Sequence, residues 1–194
     1  MNLHLHPLPM TRRPGLPGSA TIAQLLLWLW VINLGLALGA GLYEATIVFP
    51  QWLVAVPEGG YQWQAEAARS ANTGLRFWVY ATTVPLTLLT LANAMILFAP
   101  SSAIAAWPRR GKLRRWWIGA VGLALAERLF TFGYFVPTML YLMGDNVAGS
   151  EAVATALRWS RLNHLRHLLL LLAWLAALQT FALFYQQLAS RKTG

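Results

Sequence analysis

The residues of this 194-residue chain that could do chemistry fall in three short stretches. They are Glu44 in GLYEATIVFPQW, Glu127 and Arg128 in LALAERLF, and Asn163, Arg166 and His167 in RWSRLNHLRH. A histidine or carboxylate held beside an arginine in a dry pocket can remove a proton from an acidic carbon, while the arginine and an amide stabilise the enolate oxygen that results. In that arrangement His167 or Glu44 is the base, and Arg166 with Asn163 holds the oxygen.

Other chemistries fit less well. The chain has no cysteine, which excludes disulfides, thiolate metal sites and thiol redox chemistry. No serine sits in an elbow-like glycine context, so nucleophilic catalysis has no candidate. His164 and His167 lie three residues apart on one helix and cannot take trans positions on one haem, and no Glu-x-x-His pair is present for a dinuclear centre. The expectation is a site without metal or cofactor. His4 and His6 could bind a metal in the leader, but residues 1–20, with Pro7, Pro9, Pro14 and Pro17, read as a flexible tail.

The elements that must position these groups are membrane helices. Apolar residues make up 57% of the chain and charged ones only 11%, too little charge for a soluble surface. Four segments, 21–50, 76–99, 116–142 and 159–188, are long and apolar enough to cross roughly 30 Å of hydrocarbon. The expected fold is all-α, a four-helix transmembrane bundle over 21–188 with a basic tail at 189–194. Trp28, Trp52, Trp63, Trp107, Trp116 and Trp117 suit interfacial anchoring.

Positive charge sorts between the connections. Arg12 and Arg13 precede the first span, Arg109, Arg110, Lys112, Arg114 and Arg115 crowd the loop between the second and third, and Arg191 and Lys192 follow the fourth. The other two loops carry Glu58 and Glu66, and Asp145 and Glu151. This pattern puts both termini in the cytoplasm and fits a bacterial inner membrane. It also accounts for the net charge of +9 without nucleic acid, for which no aromatic-basic module is present.

Helical spacing then assigns faces. Gly35, Gly39, Ala40 and Gly41 form a small-residue surface for a neighbouring helix. Arg76, Tyr80, Thr83, Thr87 and Thr90 share one face of the second span, with packing preferred over conduction as their purpose, and Pro85 predicts a local kink. Glu127, Thr131, Tyr134 and Thr138 align on the third; Glu127 and Arg128, being adjacent, should seek partners on other helices. On the fourth, Trp159, Asn163 and Arg166 share a face, Ser160, His164 and His167 the next, and Arg158 and Arg161 snorkel to headgroups. With this topology Glu44, Arg76, Tyr134, Asn163, Arg166 and His167 fall at similar depth in the outer half.

GLYEATIVFPQW, FVPTMLYL and the spacing of Trp159, Asn163 and Arg166 in WSRLNHLR resemble the anthrone oxygenase-like integral membrane family. The resemblance runs over residues 21–188 and marks Gly41, Glu44, Pro50, Pro137, Trp159, Asn163 and Arg166. It implies cofactor-free oxygenation of an anthrone to an anthraquinone. The resulting expectation is a membrane protein that binds a small apolar or aromatic molecule and oxidises it, with His167, Glu44, Arg166 and Asn163 catalytic and Arg76, Tyr80, Tyr134, Trp159 and His164 binding substrate. The alternative is a non-enzymatic accessory subunit, in a homo- or hetero-oligomer, or a small transporter.

Overall fold

A computed structural model describes residues 17–98, 111–144, 147 and 149–192. His4, His6, Arg12, Arg13, Trp107, Arg109, Arg110 and Asp145 lie outside the described residues. Four helices are long and apolar enough to cross a membrane, over Thr21–Gln51, Gly74–Phe98, Lys112–Leu142 and Gly149–Ser190. Leu25, Leu29, Leu36, Leu88, Met95, Leu168 and Leu175 are exposed on the bundle's sides, an arrangement that hydrocarbon tolerates and water penalises. This is the architecture of a multi-pass integral membrane protein.

The first span is α1 (Pro17–Tyr43), extended by a π-helical stretch at Glu44–Val48 and a 3₁₀ turn at Phe49–Gln51. A hairpin follows, β1 (Leu53–Ala55) against β2 (Tyr61–Trp63), with Leu53 opposite Trp63 and Ala55 opposite Tyr61. Its turn needs Gly59 and Gly60, at φ of 91° and 97°, a region that a Cβ disfavours. Helix α2 (Ala65–Ala71) ends on Asn72 in the left-handed conformation. The second span is a π stretch at Gly74–Thr83 followed by α3 (Val84–Phe98); the third is α4 (Lys112–Phe130), a π stretch at Thr131–Phe135 and α5 (Val136–Leu142). The fourth is one helix, α6 (Gly149–Lys192). It starts ten residues before the apolar segment because EAVATAL is rich in good helix formers.

Helix α1 packs on α3 and α6, and α4 packs on α3 and α6, so the spans form a closed ring in chain order. The half of the bundle nearest the start of α1 and the end of α6 is filled by Leu27, Trp30, Leu34, Trp117, Ala120, Ala173 and Ala177. Small residues let these helices close up: a Cβ on Gly35 would sit 3.2 Å from the indole of Trp174, and one on Gly41 would sit 2.6 Å from His167 Nε2. Gly39 has nothing within 4 Å, so the small surface facing the fourth span is Gly35 and Gly41. The half nearest the hairpin has an aromatic core of Phe49, Trp52, Trp63, Phe135 and Trp159. Trp52 and Trp63 are thus core residues, because the hairpin folds back over the bundle end, and Trp117 is buried in the opposite half against Phe184; Trp28 and Trp116 keep the exposure of interfacial anchors.

The three π stretches share a cause. Each ends two residues before a proline: Val48 before Pro50, Thr83 before Pro85, Phe135 before Pro137. The intervening residue bonds back five positions, Phe49 to Glu44, Val84 to Val79 and Val136 to Thr131. Proline has no N–H, and its ring crowds the carbonyl four residues earlier, so a wider turn relieves the crowding. The carbonyl of Ala81, four before Pro85, accepts a hydrogen bond from Asn33 Nδ2 at 2.9 Å, the side-chain rescue expected where no water competes. The kink expected at Pro85 takes this form.

Wider turns rotate every side chain that follows, and this corrects two expected faces. Tyr80 is 76% exposed while Thr90 is fully buried and accepts from Trp30 Nε1 at 3.0 Å, so Arg76, Tyr80 and Thr90 do not form one stripe. On the third span Phe135, not Tyr134, follows Thr131 inward. Thr87 does bond back to the Thr83 carbonyl, at 2.6 Å, which fits packing.

Candidate functional site

A cavity of about 130 Å³, continuous with an open mouth, lies in the hairpin half of the bundle and takes wall residues from all four spans. The fourth helix, unbroken, presents Trp159, Arg166 and Leu170 to it at α-helical spacing. The π stretches present Glu44 from the first span, Trp78, Thr82 and Thr83 from the second, and Thr131 and Phe135 from the third, with Thr73 just before the second stretch and Met139 on α5 completing the wall.

Two acids and two arginines line the cavity: Glu44, Glu127, Arg128 and Arg166. Glu127 and Arg128 neutralise each other. Glu127 Oε2 receives Arg128 Nε at 2.7 Å and Nη2 at 2.6 Å, and Glu127 Oε1 receives the Thr131 hydroxyl at 2.8 Å. The expectation that these neighbours would seek partners on other helices is wrong here. Arginine's long stem lets its fork swing tangentially round the helix to the adjacent carboxylate, and a buried charge has every reason to do so.

That leaves Glu44 and Arg166. Glu44 is buried, and its Oε1 accepts from Trp78 Nε1 at 2.8 Å and from the Thr73 hydroxyl at 2.9 Å. Both are neutral donors. The Arg166 guanidinium carbon lies 4.8 Å from the Phe135 ring centre and 5.8 Å from that of Trp78. Such cation–π contacts support the charge without neutralising it. Among the described residues Arg166 forms no ion pair. Glu44 and Arg166, neither in an ion pair among the described residues, therefore share a cavity whose remaining walls are the Glu127–Arg128 pair and threonine, aromatic, methionine and aliphatic side chains.

The structure brings three of the expected site residues to this cavity: Glu44, Trp159 and Arg166. Trp159 is 4% exposed, donates to the Phe135 carbonyl at 3.3 Å and stacks on Phe49 with ring centres 5.1 Å apart. Asn163 and His167 are also buried, 1% and 5% exposed, but they do not line it. They lie one turn apart on α6, with His167 against Gly41 of the first span, and none of their four side-chain polar atoms has a hydrogen-bond partner among the described residues. Arg76, Tyr80 and His164 point outward. Tyr134 lines a separate groove between the third and fourth spans with Pro137, Thr138, Tyr141, Thr155 and Arg158.

Thr131 faces the cavity with Glu127 as spacing predicts, whereas Thr73, Trp78, Thr82 and Phe135 do not follow from spacing. The offset of each proline from its wide turn is the signal that could have found them. Over the full chain, no known protein family, no curated protein and no solved structure gives a match.

Proposed function

We propose that this membrane protein binds a small, flat, largely apolar molecule bearing an enolisable ketone, and oxygenates it without a cofactor, as the resemblance to anthrone oxygenases implies. The observation that carries this reading is the pair Glu44 and Arg166, opposite charges in one cavity that are not spent on each other. Glu44 has one oxygen engaged by Trp78 and Thr73, which orients the other as a base. Arg166 supplies donors to the ketone oxygen as it gains negative charge. Trp78, Phe135 and Trp159 offer faces for aromatic rings.

For an anthrone the balance is simple. Glu44 takes a proton from the methylene, the carbanion-enolate gives electrons to dioxygen and forms a C–O bond, and the hydroperoxide loses water to leave a carbonyl. One oxygen atom ends in the quinone and the other in water. His167 is set back from the cavity wall, so Glu44 takes the role. In this reading both termini face the cytoplasm, which puts Lys112, Arg114 and Arg115 at the start of α4 on the cytoplasmic side and the cavity in the outer half.

Conduction and transport have less support, because the terminal half is filled along its axis by Trp30, Leu34, Trp117 and Ala173. The test is oxygen uptake by purified protein with an anthrone, corrected for autoxidation. Uptake in the unaltered chain, lost in Glu44→Gln and retained in His167→Ala, is the expected result. Background rates in the unaltered chain would remove the enzyme reading.

A further inference from the structure

The cavity opens through the side of the bundle, and apolar packing lies toward both of its ends. At the hairpin end Phe49, Trp52, Trp63, Phe135 and Trp159 pack into one aromatic plug, with Phe49 to Trp52 and Trp63 ring centres 6.3 and 6.1 Å apart. The hairpin and α2 are tied over that plug: Trp63 Nε1 donates to the Leu142 carbonyl at 2.8 Å, and Arg69 Nη1 donates to the Met143 carbonyl at 3.0 Å. At the other end the apolar core of the terminal half fills the axis.

The side differs. Of the wall residues only Gly74, Val136 and Leu140 are exposed, and they belong to the second and third spans. Val136 and Leu140 are 40% and 62% exposed. These two spans pack on each other through α3 and α4, but the π stretch of the second packs on α1. They therefore part toward the hairpin end. Val136 lies six residues before Leu142, the end of α5, about 9 Å along the helix, while Leu140 lies two residues before it and Gly74 opens the second span, so the mouth runs from the hairpin end down the apolar face of the third span. Its rim is valine, leucine and the half-buried Met139 and Met143, while Glu44 and Arg166 come from the first and fourth spans.

Resting on the reading of this cavity as a binding site, we infer that its ligand enters sideways from the bilayer, between the second and third spans. Its class is a membrane-dissolved apolar molecule with one oxygen-bearing end, which reaches Arg166 and Glu44 while the body stays among Trp78, Phe135 and Met139.

The test uses the full chain in lipid vesicles with two small photoreactive diazirines, one apolar and dissolved in the bilayer, one charged and confined to water. Labelled residues are mapped by mass spectrometry. The apolar probe is expected to label the buried wall residues Thr82, Phe135 and Leu170 together with the lipid-facing Leu88 and Met95. Leu140→Trp and, from the opposite rim, Gly74→Trp should abolish labelling of the first three and leave the last two unchanged. A Cβ on Gly74 meets nothing within 4 Å and Leu140 is exposed, so both substitutions start from open positions, and an unchanged unfolding midpoint in detergent verifies that the variants fold. Labelling of the wall by the charged probe, by neither probe, or by the apolar probe equally in both variants would overturn the proposal. The readout needs no turnover, so failure of the oxygen-uptake test leaves it standing, and its own failure leaves the uptake test standing.

Discussion

Three spans carry a proline near the hairpin end and open into a π stretch just before it; the fourth carries none and runs as one helix over 44 residues. The two kinds of span divide the labour of the cavity. Wide turns in the first three displace wall from the bundle axis and rotate Glu44, Trp78 and Phe135 to face the space created. The regular helix supplies Arg166 and Trp159 from a straight edge. π turns are a frequent device at functional sites because they re-aim side chains without ending the helix.

The largest expected effect lies at the third span. Glu127→Ala leaves Arg128 buried without its partner and removes the acceptor for Thr131, the first residue of the π stretch. A loss of about 3–5 kcal/mol is expected, read as a lowered unfolding midpoint in detergent. A change below about 1 kcal/mol would mean that the pair is solvated and that the third span's turn does not depend on it.

Next comes the contact between the regular helix and the first span. Gly41→Ala puts a methyl group 2.6 Å from His167 Nε2, an overpacking worth about 1–3 kcal/mol. Adding His167→Ala should recover most of that loss, and equal costs in both backgrounds would show that the helices do not meet there.

Pro85→Ala sharpens the comparison most, because it should turn an irregular span into a regular one. The Ala81 carbonyl returns to the helix and Asn33 loses its acceptor, a net change of about 1 kcal/mol. Trp78 rotates away from Glu44, so oxygen uptake should fall much further than stability does. Uptake unchanged in Pro85→Ala would separate the π stretch from the site. The smallest effect is Tyr80→Ala: at 76% exposure it should alter stability by less than about 0.5 kcal/mol and leave uptake unchanged.

The same contrast decides what was legible in the sequence. Four spans and their approximate limits follow from composition and length. On the fourth helix, where spacing is regular, Trp159, Asn163 and Arg166 turn inward together as counted. On the second and third the count fails just beyond the first wide turn, so Tyr80 and Tyr134 were assigned to a face they do not occupy. The hairpin was hidden for a different reason: LVA and YQW are three-residue strands, too short for alternation to register, and only the Gly59–Gly60 turn hints at them. The Glu127–Arg128 pair does not follow from helical spacing, because backbone direction says little about where a long arginine side chain ends.

The most direct measurement is equilibrium binding of an anthraquinone, which fits the cavity without reacting, to the unaltered protein and to Arg166→Ala in lipid nanodiscs. Saturable binding that weakens about tenfold, or 1.4 kcal/mol, in the variant is the predicted result. Equal affinity for both, or no saturable binding by the unaltered protein, would contradict the cavity as the site where this protein holds an oxygen-bearing aromatic molecule.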